Sequence, residues 1–266
     1  SVVTVFTSHD IEALAVRNVY ELMNFVPGFQ SVLGEFVSGH QKLQSRGVYL
    51  DSGYVLFLVD GVRVNEASFG QAGVYSPYLD LALAEKVEII RGPGSALYGS
   101  NAFLGVVNII TKKSNLVTLE VGEQGHKRLV AGFTKDVAEG ELSVNTVFVK
   151  GDGESFTITS PNDVESRAPV SVAAPYDHQQ LTLGWQGKSS QLGYKLDRHV
   201  LDGFVNLEGY HPDNYYESQN QYLNAGYFGR WNRQTQYDVA VEFADHQIES
   251  AGFILGADLP PWSHDF

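Results

Sequence analysis

The chain has 266 residues, 43% hydrophobic and 18% charged, which is too much apolar surface for a disordered acidic tail. Its 18 Lys and Arg against 31 Asp and Glu give a net charge of −13, which would repel phosphate backbones and argues against nucleic acid as a partner. The absence of cysteine excludes disulfide scaffolds and thiolate metal sites.

Residues 1–115 are predicted to form an α+β unit. Val2–Phe6 is typical of a short strand, and Asn18 followed by Glu21 predicts a helix start, since the Asn side chain accepts from unpaired backbone N–H groups. The Gly- and Ser-containing segment 31–45 is predicted to be a loop. Asp60-Gly61 lies between two β-type runs and predicts a tight hairpin, whose two central residues need positive φ.

A glycine-rich segment, Lys86–Lys113, first suggests a phosphate-binding loop. It lacks the Gly-Lys-Ser/Thr of a Walker loop, and the dinucleotide pattern would need a glycine where Leu97 stands. The segment is therefore interpreted as structural: a tight turn, a short helical turn at Ser95–Tyr98, and a strand at Gly105–Thr111.

From residue 116 onward, apolar and polar residues alternate with a period of two, which predicts strands. Seven segments show this texture or a strand-like run, centred on 117–121, 129–133, 142–149, 181–185, 192–196, 223–227 and 237–243. Their length suits the roughly 9–11 residues of a tilted membrane strand. Short and long connections also follow one another, which favours a transmembrane barrel in residues 116–266. A soluble antiparallel sandwich alternates in the same way and stays open as an alternative.

The last eight residues, Leu259–Phe266, contain two prolines and no alternation, so they are predicted to be a loop.

The run KVEIIRGPGSALYGSNAFLGVVNIITKK resembles the closing motif of the plug domain of TonB-dependent outer-membrane receptors. Upstream runs agree in order, among them VVTVFTSHDIE, NVYELMNFVPGF and VLFLVDGVRVN, so that the resemblance spans Val2–Lys113. It implies an α+β plug followed by an antiparallel transmembrane β-barrel of about 22 strands, of which this sequence would hold the first part. A longer chain is therefore expected, with a TonB-contacting segment before Ser1.

The resemblance implies active import of a scarce extracellular nutrient across the bacterial outer membrane. An iron–siderophore complex is the first expectation, with cobalamin or haem as alternatives. The expected partners are TonB, outer-membrane lipid and the small ligand; no cofactor is expected apart from the metal chelate carried as ligand. No GxSxG elbow or HExxH motif is present, so no catalytic or metal site is predicted. A soluble β-sandwich binding module and a hydrolase are the alternatives from other classes.

Two sets of site residues follow from the resemblance. Arg46 and Arg91 each precede a glycine and would lock the plug by pairing with barrel glutamates, for which a guanidinium is well suited. Glu88 would be an additional partner, while two solvated arginines are the plain alternative.

The loops 32–44 and 62–78 of the plug would capture the ligand, although ordinary loop packing is an equal alternative. The predicted ligand-binding residues are Arg63, Asn65, Phe69, Tyr75, Tyr78, Phe36 and Gln41.

Overall fold

The computed structural model describes most of the chain. The described ranges are 2–33, 41–45, 48–50, 53–67, 70–73, 76, 78–137, 139–153, 155–158, 170–173, 175–203, 205–206, 209–210, 213–232, 234–254 and 257–265.

The N-terminal unit combines two small sheets with three short helices. Its elements are β1 Val2–Thr7, α1 Ser8–Leu14, α2 Val19–Met23, β2 Phe29–Leu33, β3 Gln41–Ser45, β4 Val48–Leu50, β5 Val55–Val59, β6 Val62–Arg63, β7 Ala84–Arg91, α3 Ser95–Tyr98 and β8 Gly105–Thr111. The larger sheet has the order β1-β7-β8-β5-β6, with β5 and β8 parallel and the other pairs antiparallel. The helix α2 packs its buried residues into the core beneath this sheet.

Local sequence signals in the N-terminal unit are confirmed where a side chain fixes the backbone. Asn18 accepts from Glu21 N at 2.9 Å and caps α2. Asp60 and Gly61 have φ of 50° and 82° and join β5 to β6 as a tight turn. The short helix α3 lies where the glycine-rich segment predicts it.

Two features of this unit were not predicted. The segment 31–45 was expected to be a loop, but its ends belong to strands β2 and β3, which pair antiparallel, with Leu43 buried. The helix α1 was missed, although Thr7 and Asp10 form a capping box at its start. The first error comes from treating a Gly- and Ser-containing segment as a loop, and no element was predicted for Ser8–Leu14.

The rest of the chain forms one long antiparallel sheet and two small hairpins. The elements are β9 Leu116–Val121, β10 Lys127–Val137, β11 Gly140–Gly151, β12 Ser155–Ile158, β13 Val170–Ala173, β14 Tyr176–Gly187, β15 Ser190–Asp202, β16 Val205–Asn206, β17 Gly209–Tyr210, β18 Tyr215–Arg230, β19 Gln236–Ile254 and β20 Ala257–Asp265. The long sheet has the order β20-β19-β18-β15-β14-β11-β10-β9. The small hairpins β12-β13 and β16-β17 lie in the two long connections.

Seven of these eight strands are the seven predicted segments, and the eighth corrects a prediction. Leu259–Phe266 was expected to be a loop, yet β20 runs through Asp265 and pairs with β19. The register of this pair shifts between Ser250 and Gly252, opposite the two prolines. Prolines lack an N–H donor and are tolerated there because the register shift interrupts the ladder of hydrogen bonds.

The long sheet has its polarity inverted relative to a soluble protein. Outward residues such as Leu119 and Val241 are apolar and 76% and 67% exposed. The opposite face, called the inner face below, packs against the N-terminal unit and buries polar residues such as His178, Asp197 and Asn220. A soluble sandwich buries its apolar faces between two sheets, so the sandwich interpretation is wrong for this sheet.

Among the described residues, no helix has both the length and the apolar character needed to cross a membrane.

Candidate functional site: the seam between the two units

A buried ion pair joins the N-terminal unit to the inner face of the long sheet. Nη2 of Arg128, on β10, donates to both carboxylate oxygens of Asp80 at 2.7 Å. The Asp80 side chain is fully buried and that of Arg128 is 11% exposed. Burial raises the pKa of Asp80 above its ordinary value, while the guanidinium opposes that shift. Ala82 N donates to Asp80 Oδ1 at 2.6 Å and fixes the carboxylate.

A second carboxylate extends this pair into a network across the seam. Glu120, on β9, lies 2.9 Å from Nη2 of Arg17, which belongs to the N-terminal unit. The same carboxylate is 3.5 Å from Nη1 of Arg128 and 3.3 Å from Nε2 of His126. Each unit therefore contributes both a carboxylate and a guanidinium to the network, and these pairs fix the position of the N-terminal unit relative to the long sheet.

Apolar and aromatic contacts complete the seam. Leu83 packs in one buried cluster with Val130 and Val147 on the inner face. Tyr222, on β18, is 2% exposed, joins the core of the N-terminal unit and donates to Val64 O at 3.3 Å. The two units thus share a hydrophobic core as well as ion pairs.

A cleft of about 320 Å³ runs along the seam beside the Asp60-Gly61 turn. On the side of the N-terminal unit it is lined by the ends of β5 and β8, and on the other side by the inner face of β11, β14, β15 and β18. The wall residues are mainly polar, including Asn145, Thr182, Lys195 and Asn224. The cleft therefore has a hydrophilic wall on the sheet side.

The predicted locking residues fall elsewhere in the described structure. Glu88 pairs with Lys86 at 2.7 Å on its own strand. Arg91 ends β7, where its backbone pairs with Gly105 and Val2, and its Nε has no hydrogen-bond partner among the described residues. Arg46 lies outside the described residues. The locking role of these three residues stays a prediction.

The predicted ligand-binding residues lie in three different surroundings. Arg63 donates to Ser100 Oγ at 2.9 Å and to Asn101 Oδ1 at 3.0 Å, which holds the turn after α3. Asn65 is buried, and its side-chain amide bonds backbone groups of Phe57, Val55 and Gly70. The ring of Tyr78 lies 4.9 Å from that of His178 on the inner face.

Of the other predicted ligand contacts, Phe36, Phe69 and Tyr75 lie outside the described residues, as does the side chain of Gln41. Their role in binding, like that of Arg63, Asn65 and Tyr78, stays a prediction. Tyr215 and Tyr216 begin strand β18. Within the described ranges, no three His, Asp or Glu side chains are grouped so as to hold a metal ion.

Asn65 fastens the turn after β6 to β5. Its Oδ1 accepts from Phe57 N at 2.7 Å, and its Nδ2 donates to Val55 O at 3.0 Å and Gly70 O at 2.7 Å. We expect Asn65→Ala to lower the free energy of unfolding of this unit by about 2 kcal/mol, because buried backbone groups lose their partners. Hydrogen exchange of the β5 amides measures this change.

Arg63→Ala is the matched control for Asn65→Ala, because its hydrogen bonds are at least partly exposed. It should change the same exchange rates by less than about 1 kcal/mol. Equal effects of the two substitutions would contradict a structural role specific to Asn65.

The seam residues Asp80, Arg128, Glu120 and Arg17 were not identified from the sequence. A signal existed: Arg128 is a cation on the polar face of an alternating strand, and Asp80 interrupts an apolar run, LDLALA. Their pairing could not be deduced, since 48 residues separate them and only docking of the two units brings them together.

The family model described as TonB-dependent Receptor Plug Domain matches residues 1–106. Residues 1–106 are the plug domain of a TonB-dependent receptor. The N-terminal unit is therefore called the plug below, and the inner face of the long sheet is the barrel wall that faces it. These receptors belong to the bacterial outer membrane, which is the location of this chain. The division at residues 115 and 116 stays a prediction.

Similar proteins agree with this family. The vitamin B12 transporter BtuB of Vibrio vulnificus (strain CMCP6) is 35% identical over 145 residues, covering 52% of this chain and 23% of the relative. A mutant of the ferric enterobactin receptor PfeA from Pseudomonas aeruginosa superposes with a TM-score of 0.72 at 16% identity, covering 99% of this chain and 45% of that chain. The siderophore receptor PirA from Acinetobacter baumannii gives 0.66 at 18%, covering 99% and 43%. The chain spans about a quarter of the curated relative's length and under half of these structures, whose likeness establishes the fold.

Proposed function

We propose that this chain is the plug and first barrel strands of an active importer that binds a scarce metal-chelate nutrient outside the cell. The observation that supports it best is the inverted polarity of the long sheet. Its apolar face is exposed, as a lipid environment requires, and its polar face surrounds a plug. A plugged wide barrel is suited to gated passage of one ligand, not to free diffusion.

Gating follows from the seam. Ligand bound to the plug loops would shift the plug between a seated and a displaced state, which requires different ligand affinities for the two. The Asp80–Arg128 pair and the Glu120 network stabilise the seated state. TonB supplies the energy for displacement by binding the complete receptor.

An iron–siderophore complex is the first proposed ligand, and cobalamin is the second. The first place of the siderophore complex rests on the family resemblance, and the match of 35% identity to a protein named as a vitamin B12 transporter is the ground for cobalamin. The solved structures are 12–18% identical and therefore support the fold alone. Haem is the third possibility. The transporter family argues against an enzyme, and we propose that the chain has no catalytic activity.

Uptake by the complete receptor tests this proposal. We expect cells that lack their own cobalamin and siderophore receptors to accumulate either radiolabelled cyanocobalamin or radioactive ferric enterobactin when the receptor is expressed. Accumulation should stop when a protonophore removes the inner-membrane energy. Uptake that persists without this energy would contradict TonB-driven import, and turnover of a hydrolase substrate would revive the enzyme alternative.

A further inference from the structure

Four ionisable side chains form a polar ladder on the barrel wall: His178 on β14, and Lys195, Asp197 and His199 on β15. The strand register places His178 opposite His199, and residues 195, 197 and 199 face the same side because side chains alternate along a strand. All four are 0–6% exposed. The ladder is therefore covered by the plug and the neighbouring strands.

The plug surface that covers the ladder is largely apolar and aromatic. Val59, Leu79, Ala84 and Ile109 line the small cavity next to Lys195. The ammonium of Lys195 lies 5.7 Å from the ring centre of Tyr222, on a neighbouring strand. Asp80 lines the same cavity, but its carboxylate is already bonded to Arg128.

The hydrogen bonding of the ladder is incomplete in the described part of the chain. Lys195 Nζ and both ring nitrogens of His199 have no hydrogen-bond partner there. His178 Nε2 is 3.9 Å from Asp197 Oδ2, which is longer than a hydrogen bond. Buried polar groups are nearly always hydrogen-bonded, so this wall is poorly matched to the plug that covers it.

The mismatch disfavours the seated plug. Burial of a charged or polar group without a full set of partners raises the free energy of that state, whereas water satisfies the same groups once the plug moves away. The cleft of about 320 Å³ already reaches the ladder at Lys195, with Asn145, Thr182 and Asn224 on the same wall. A hydrophilic surface thus continues from the cleft under the plug.

We propose that the polar ladder is the wall of the passage that opens between plug and barrel, and that its buried groups lower the free energy needed to displace the plug. The role in passage rests on the proposed transport function. A hydrophilic metal chelate would slide along hydrated His, Lys and Asp side chains rather than along an apolar wall. The ladder therefore opposes the Asp80–Arg128 pair, which holds the plug in place.

The first experiment measures plug opening without any ligand. Lys195→Met removes the ammonium with little change of shape, and amide hydrogen exchange is followed in β5 and β8 of the complete receptor. We expect exchange to slow about tenfold, since replacing an imperfectly paired buried charge by an apolar side chain is often stabilising. Faster or unchanged exchange would overturn the proposal. The matched control is Lys150→Met. The Lys150 side chain is 73% exposed, so this substitution should leave the exchange rates of β5 and β8 unchanged.

His199→Phe gives an independent measurement should Lys195→Met fail to fold. It removes two unpartnered ring nitrogens and keeps a planar ring near His178, whose ring centre lies 5.9 Å away. We expect slower exchange here too, and faster exchange would count against the ladder.

The second experiment tests passage directly, because the chain has no cysteine and an introduced thiol is unique within it. In the His199→Cys variant, the introduced thiol is labelled with a water-soluble thiol reagent. Labelling should be at least about tenfold faster in energised cells that import cyanocobalamin or ferric enterobactin than in cells treated with protonophore. If cells that import the ligand show the same labelling rate as cells treated with protonophore, the proposal that the polar ladder lines the passage would be overturned. Lys188→Cys, in an exposed turn, should be labelled alike in both conditions.

The two experiments separate the two proposals. Cells that accumulate neither probe would count against the proposed function, while hydrogen exchange in the Lys195→Met variant still decides whether the ladder weakens plug seating.

Discussion

Arg128→Met is expected to destabilise the seated plug by about 3–5 kcal/mol, because breaking a buried pair leaves an unpaired charge. The charge left behind is Asp80, whose side chain is fully buried and, among the described residues, would keep its bond from Ala82 N alone. Amide hydrogen exchange in the plug of the complete receptor measures the loss, and passive leak of a small solute through the barrel should rise with it.

Two further variants isolate the pair. Adding Asp80→Asn to Arg128→Met removes the orphaned charge, so we expect the double variant to be more stable than Arg128→Met alone, with a coupling of about 2–3 kcal/mol in the double-mutant cycle. Lys188→Met breaks an exposed pair with Glu139 and should change stability by less than about 1 kcal/mol. If Arg128→Met lowers stability by no more than Lys188→Met does, the Asp80–Arg128 pair does not hold the plug.

Val241→Arg is expected to lower the stability of the membrane-inserted barrel by about 2–4 kcal/mol, because an outward charge near the bilayer midplane loses its hydration. Val241 points outward on β19, opposite Ala225, and is 67% exposed. In a water-soluble protein the same substitution at an exposed position would change stability by about 0.5 kcal/mol or less. Reversible urea unfolding in lipid vesicles separates the two expectations.

The adjacent residue supplies the control for the lipid face. Ala240 faces the opposite side of the same strand, opposite Gly226, so Ala240→Arg points its charge toward the polar lumen. We expect it to change stability by less than about 1 kcal/mol. Similar losses for both substitutions would show that the apolar face of the long sheet does not contact lipid.

Much of the fold could be predicted because its signals are local. Alternation with a period of two identifies a strand and both of its faces without reference to any other part of the chain, and it gave seven of the eight strands. Asp60-Gly61 and Asn18 also act through their own backbone neighbours. Prediction failed at β20, where the two prolines lie at a register shift that no local sequence signal reports.

The candidate site was harder to predict, because its contacts are between distant residues. The family motif directed attention to arginines next to glycines, whereas the ion pair present across the described seam has its carboxylate on the plug and its guanidinium on the barrel. Asn65 was singled out for ligand binding, yet its amide bonds three backbone groups. No spacing in the sequence reports such partners.

The sequence by itself determined the family, the strands and the two faces of the long sheet, because motifs and alternation are properties of neighbouring residues. It did not determine which face meets lipid and which meets the plug, since apolar alternation is the same in a soluble sandwich. Only the tertiary structure decided that, by packing the plug against the polar face. Docking also brought Asp80 to Arg128 and covered the polar ladder, since both depend on how the two units fit together.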